Sequence, residues 1–244
     1  LHGGPGAPGA VSLLAAELAD TSGVLEPLQT ADTIAGQVTE LSDVLAAEGN
    51  GPITLIGSSW GAWLGFLTAA RHPALVKKLI LVGSPPYEDW FSRDITAARL
   101  RRLPEAGRSE AEALLKFLGD ASVKESKDDA LARIGVLFTQ ADSVDPITLD
   151  MGVRGASFRI HSQVWKEATR LRARGEMAAV GHHIRCPVIA IHGDRDPHPA
   201  EGVEGPLTAN VRDFRFFLLK DCGHFPWIER SARDAFFARI RAEL

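Results

Sequence analysis

Two hydrophobic rhythms run along the chain. Apolar residues recur at helical spacing at Val11, Leu14 and Leu18, with Leu13 beside them, which predicts a helix over Val11–Ala19. Ile34, Val38, Leu41, Val44 and Leu45 form a second helical stripe between Thr33 and Ala47, and Asn50-Gly51-Pro52 punctuates its end. The other rhythm is the short, nearly unbroken apolar run. Ile53–Ile56, Leu79–Val82, Val188–Ile191 and Phe214–Leu219 read as strands, with helices expected over Trp60–Ala70 and Arg230–Ala242. Runs of this kind alternating with helices imply a mostly parallel sheet with helices on both faces, an α/β architecture. Gly23–Leu28 is a weaker strand candidate, because Pro27 interrupts it.

The stretch 85–181 departs from this pattern. It is rich in Ala, Leu, Arg and Glu, and carries helical stripes such as Ala111–Leu118 and Val164–Leu171. It reads as a mostly helical insertion between two strands of one sheet, leaving 1–84 and 182–244 as the core. The 244 residues suit one domain with an insertion. A formal net charge of −4 gives no basic field for nucleic acid and no polybasic membrane patch, and no apolar stretch is long enough to span a bilayer. Nothing in the charge balance decides an oligomeric state. The two cysteines fall at opposite ends of neighbouring strands, Cys186 before one and Cys222 beyond the other. Strands of about six residues are roughly 20 Å long, so a disulfide is out of reach. Free thiols and a reducing, cytoplasmic setting are expected.

Candidate chemistry gathers where these strands end. Gly57-Ser58-Ser59-Trp60-Gly61 lies between the strand Ile53–Ile56 and the helix from Trp60, the context a G-x-S-x-G elbow requires. A serine at the tip of that turn stands exposed at a helix N-terminus, and tight backbone packing leaves no room for side chains two residues to either side. Ser59 is therefore the candidate nucleophile, and Ser58 is out of frame.

Serine needs a base, and the partners of such an elbow follow it in the order acid, then histidine. Of eight histidines, His224 alone follows the last strand on the edge that carries Ser59. His2 precedes the elbow. His72, His161, His182 and His183 lie off that edge, His192 reads as strand packing, and His198 sits in the acid's loop. Asp194 and Asp196 compete for the acid. Asp196 is favoured because it lies further into its loop, where it can turn toward His224. A metal cluster of His192, Asp194, Asp196 and His198 is the rival reading. It leaves the elbow and His224 without a purpose, so neither metal nor cofactor is expected. Negative charge developing on a substrate carbonyl needs N–H donors. The backbone of Trp60 supplies one, and His2-Gly3-Gly4-Pro5-Gly6 suits the other, with Gly4 as donor.

With these residues assigned, the chain resembles the α/β-hydrolase superfamily, and its motifs are similar to those of the proline iminopeptidase-like branch. His2-Gly3-Gly4-Pro5-Gly6, Ser59-Trp60-Gly61 and Gly223-His224-Phe225-Pro226-Trp227 carry the likeness, over roughly 1–84 and 182–244. It implies Ser59, Asp196 and His224 as a triad, Gly4 and Trp60 as oxyanion donors, and the insertion 85–181 as a helical cap. In that branch, acidic cap residues hold the substrate's free amine; Glu167 and Glu176 are the candidates here. The family sheet also has a strand feeding the HGGPG loop. Since only Leu1 precedes that loop, residues upstream are expected. The leading expectation is hydrolysis of a small carboxylic ester through an acyl-enzyme. The alternatives are an aminopeptidase acting on short peptides and a non-catalytic ligand-binding homologue.

Overall fold

A computed structural model describes residues 1–20, 23–48, 51–153 and 155–244. The chain opens with the HGGPG loop, then α1 (Ser12–Ala19) and α2 (Ile34–Glu48). The expected strand at Gly23–Leu28 does not form: Pro27 has no N–H for a ladder, and the segment runs as irregular chain. Of the helix-stopping residues after α2, Asn50 lies outside the described residues. β1 (Ile53–Ser58), α3 (Trp60–Arg71) and β2 (Val76–Val82) follow. Between β2 and the next strand come α4 (Ile95–Arg102), α5 (Glu105–Gly119), α6 (Asp128–Asp142), α7 (Phe158–Ala173) and α8 (Glu176–Ala179), with short 3-10 turns before α4 and after α8. β3 (Val188–Gly193), α9 (Glu201–Asn210), β4 (Phe214–Leu219) and α10 (Arg233–Glu243) complete the chain.

The four strands form one sheet in the order β1-β2-β3-β4, and every pairing is parallel. Period-2 alternation divides their side chains between two cores. Leu79, Leu81, Val188 and Ala190 join α2, α3 and α9 on one face. Ile80, Val82, Ile189 and Ile191 join α1 and α10 on the other. Covered on both sides, β3 is buried along its whole length, which is why it reads as an unbroken apolar run. A third, separate cluster of Leu103, Ala111, Leu131, Ile134, Leu137 and Ala141 holds α4, α5 and α6 together. Both cysteines are free and buried. Leu1 lies along β1, its carbonyl accepting the Ser58 N–H at 3.1 Å. Beside the rest of β1 runs an apolar groove of about 640 Å³, lined by residues that include Leu14, Leu18, Leu41 and Leu45.

Parallel pairing without shifts along β2, β3 and β4 brings all four carboxyl ends to one edge. That edge receives the loops bearing Ser59, Asp196 and His224.

Candidate active site

Ser59 sits between the last residue of β1 and the first of α3, with φ 52° and ψ −119°. A side chain rarely adopts that backbone, and holding a non-glycine residue there costs about 1–3 kcal/mol. The surrounding glycines explain how the turn closes. A Cβ on Gly57 would run into the Gly61 carbonyl, and one on Gly61 would run into the carbonyls of Leu1 and His2. The Ser59 N–H donates to Val82 O at 3.0 Å, which ties the turn to the end of β2. Serine is a good N-cap, yet the Ser59 hydroxyl makes no cap bond to α3, so it is not consumed by the helix it precedes. Ser59→Gly is expected to raise stability by about 1 kcal/mol by relieving the strain, read as a higher Tm.

The HGGPG loop folds onto this elbow. A Cβ on Gly3 would stand 3.0 Å from Ser59 Cβ and 3.3 Å from Ser58 O, so only glycine allows the approach. Gly4 adopts φ 56° and its carbonyl accepts the Ala7 N–H at 2.9 Å. Gly6 O accepts from Ser157 at 2.8 Å, pinning the loop to the residue that caps α7. Trp60 begins α3, where the first N–H groups have no acceptor within the helix. Its indole is fully buried and donates to Gln37 Oε1 at 2.8 Å. Trp63 and Trp165 pack against it in one aromatic cluster, and Trp227 is buried in the opposite core. Trp90 is 59% exposed and lines neither core.

His224 lies in the loop after β4, its backbone N–H donating to Asp142 O at 2.8 Å. Its ring packs over Gly83, the residue after β2, where a Cβ would come within 3.0 Å of Nδ1. Nδ1 is 2.6 Å from Asp196 Oδ2. An ionised carboxylate only accepts, so Nδ1 carries the proton and Nε2 keeps a free lone pair. Asp194 makes no such contact. It is partly exposed, accepts the Cys222 N–H at 3.3 Å, and pairs with Lys220 at 3.7 Å.

Two further histidines, which the sequence reading set aside, converge on the same carboxylate. Asp196 Oδ1 accepts both the backbone N–H of His198 at 2.9 Å and its Nδ1–H at 2.8 Å. His192 Nε2 lies 3.4 Å from Oδ2 and donates to the His198 carbonyl at 2.8 Å. The Asp196 side chain is completely buried, which by itself favours the neutral acid. Electrostatic attraction to His224, His198 and His192, with the His198 hydrogen bond, overrides burial and holds the carboxyl well below its usual range. Burial pushes His198 down to about 4 against the pull of Asp196, with His224 and Arg99 adding to the effect. Burial likewise holds His2 at about 4.

These two histidines make the fold acid-sensitive. An imidazole with an ordinary value of 6.5 and a folded value near 4 is protonated first in the unfolded chain. Their contribution is complete above pH 6.5 and is lost as the pH falls toward 4, where the unfolded state binds more protons. Urea midpoints measured across that window are expected to fall steadily with pH.

The insertion contributes as well. Arg99 of α4 forms a bidentate pair with Asp142 at the end of α6, at 2.6–3.1 Å. Glu229, fully buried, accepts the backbone N–H groups of Val144, Asp145 and Gly223 and so fastens the His224 loop to the segment after α6. No sequence motif marks Arg99, Asp142 or Glu229. The spacing of His198 two residues after Asp196 is the one local signal that was available, since an aspartate readily accepts from the backbone two residues on. The two acidic residues considered for amine binding are engaged elsewhere. Glu167 Oε2 accepts the Ile34 N–H at 2.9 Å at the start of α2, and exposed Glu176 stands 3.8 Å from Arg174.

Over residues 2–239 the sequence matches the alpha/beta hydrolase family. The chain belongs to that family. It is 27% identical over 204 residues to the pimeloyl-[acyl-carrier protein] methyl ester esterase of Chromobacterium violaceum, covering 83% of this chain and 74% of that protein. Among solved structures it resembles an esterase from Exiguobacterium antarcticum, with a TM-score of 0.67 and 17% identity over 100% of this chain and 89% of the other. A proline iminopeptidase from Mycobacterium smegmatis superposes with a TM-score of 0.59 and 20% identity, covering 100% and 86% respectively. Among the described residues no helix is long and apolar enough to cross a membrane.

Proposed function

We propose that the protein hydrolyses a carboxylic ester of a small substrate through an acyl-enzyme on Ser59. The observation that carries this reading is the His224–Asp196 bond of 2.6 Å, formed at the sheet edge that also presents the strained elbow serine. In this mechanism His224 Nε2 takes the proton of the Ser59 hydroxyl as the oxygen attacks the ester carbonyl. The backbone N–H groups of Trp60 and Gly4 receive the developing oxyanion, each worth about 3–4 kcal/mol in the transition state. Protonated His224 then gives its proton to the leaving alcohol. Water, activated by the same imidazole, releases the acid. Asp196 stays ionised throughout, holding the imidazole tautomer and balancing its transient charge. The helical segment between β2 and β3 serves as the cap over this site, and no metal or cofactor takes part. A cytoplasmic setting fits the two free thiols.

Ester substrates are favoured over an N-terminal amine by the placement of the acids. Glu167 is spent on the N-terminus of α2 and Glu176 faces solvent beside Arg174, so neither offers an uncommitted carboxylate to an ammonium group. The relative from Chromobacterium violaceum, a methyl ester esterase, points the same way. Assays on p-nitrophenyl acyl esters and on prolyl-p-nitroanilide are expected to give turnover of the esters only. Preferential cleavage of the anilide would move the assignment to an aminopeptidase. A folded protein that cleaves neither and resists a fluorophosphonate probe would make it a ligand-binding member of the family.

A further inference from the structure

We infer that His198, clamped by Arg99 of α4, is a positioning residue that fixes the Asp196 carboxylate for His224. The inference rests on the triad reading above and extends it to two side chains outside the triad. Each proton in the cluster can be placed from donor and acceptor chemistry. Arg99 Nη2 lies 3.5 Å from His198 Nε2, and a guanidinium only donates, so Nε2 is the acceptor. His198 is therefore neutral with its proton on Nδ1, the atom 2.8 Å from Asp196 Oδ1. The carboxylate is then held from both sides: Oδ1 by the ring and backbone N–H of His198, Oδ2 by His224 with His192 nearby. Neither oxygen can rotate away from His224 without breaking a bond on the opposite side.

The stacking of the two rings gives the clamp an electrostatic purpose. His198 and His224 lie with centroids 4.5 Å apart and planes inclined by 28°. When His224 becomes an imidazolium during turnover, a neutral aromatic face beside it is favourable, whereas a second imidazolium would repel it. Arg99 opposes that second charge. Its own position is fixed by Asp142, whose backbone carbonyl also holds the His224 N–H. Among the described residues, the charged and titratable groups meeting His198 are Arg99 from α4, itself held by Asp142, His192 and Asp196 from β3 and its loop, and His224 from the loop after β4. The same cluster of Asp196, His198 and His224 has metal-ligand composition. The adjacent guanidinium opposes a dication, and both Asp196 oxygens, His198 Nδ1 and His224 Nδ1 are already used in hydrogen bonds.

The test compares two substitutions at His198. Phenylalanine keeps the ring but donates nothing, whereas asparagine places an amide N–H where Nδ1–H stands. His198→Phe is expected to lower kcat for a p-nitrophenyl ester about 10- to 100-fold with KM within about twofold, as loss of positioning requires. His198→Asn is expected to recover kcat to within about threefold of wild type. Wild-type kcat in the phenylalanine variant, or equal losses in both, would overturn the inference. Long-range proton–nitrogen NMR of the wild type supplies a second readout that does not depend on the variants folding. His198 is expected as the neutral Nδ1–H tautomer at pH 7, and an Nε2–H or charged form would overturn the clamp. Fluorophosphonate labelling of wild type separates the two claims. An unlabelled, inactive wild type defeats the triad reading, while the tautomer still judges the clamp.

Discussion

Replacing Ser59 with alanine is expected to lower kcat for an ester substrate by about 10⁵–10⁶-fold, with the protein still folded and substrate binding retained. The size follows from the mechanism. Without the hydroxyl there is no acyl-enzyme, and His224 loses the group it deprotonates, so base and acid go silent together. What survives is the oxyanion donors and the binding surface, which sustain a residual rate above that in water. Structure is not the cost: alanine at φ 52° carries the same strain as serine, and the hydroxyl caps nothing. Steady-state kinetics together with an unchanged Tm check this. A Ser59→Ala protein retaining even a tenth of wild-type turnover would mean that the chemistry lies elsewhere.

The second large effect is expected at the acid. Asp196→Asn should lower kcat by about 10⁴-fold, because an amide can donate to His224 Nδ1 and so favour the wrong tautomer, with Nε2 protonated and unable to accept from Ser59. This site adds a feature of its own, since the carboxylate also serves His198 and neighbours His192. Removing a buried acceptor with several donors around it leaves those donors unsatisfied, so a loss of stability is expected as well. The pH behaviour should differ in a defined direction. The Asp196 carboxyl titrates in the fold well below its ordinary 3.8. Its contribution is present above that value and disappears as the pH falls through the folded one. The stability difference between wild type and Asp196→Asn should therefore narrow in strong acid, as urea titrations at pH 7 and near pH 3 would record. Asp194→Asn, whose carboxylate engages Cys222 and Lys220, should leave kcat close to wild type.

Much of this site was legible in the residues because it is carried by local patterns. Glycine at 57 is required within the elbow, by the Gly61 carbonyl, whereas glycine at 61 makes room for the carbonyls of Leu1 and His2 from the opening loop; the flanking apolar runs place the turn at a strand's end. His224 could be selected because parallel strands deliver their loops to one edge. The alternation of Leu79 with Ile80 and of Val188 with Ile189 between opposite cores is period-2 geometry, readable before any coordinates. What escaped has a shared cause. His192 looks like strand packing and His198 like a loop residue, because their roles depend on a carboxylate they meet only after the loop closes. Arg99 and Asp142 are separated by 43 residues and meet through helix packing in the insertion. Glu229 is a charged residue whose complete burial is made possible by three backbone donors drawn from two segments. The segment Gly23–Leu28 misled for the opposite reason: an apolar run suggests a strand, but a ladder needs backbone donors that Pro27 interrupts.

The proposed mechanism stands or falls on the identity of the nucleophile. Intact-mass spectrometry of the folded protein after treatment with a fluorophosphonate, followed by peptide mapping, reads it directly. One adduct per chain is expected, located on Ser59 and absent from Ser59→Ala. An adduct on Ser58 or another residue, or none on folded wild-type protein, would contradict it.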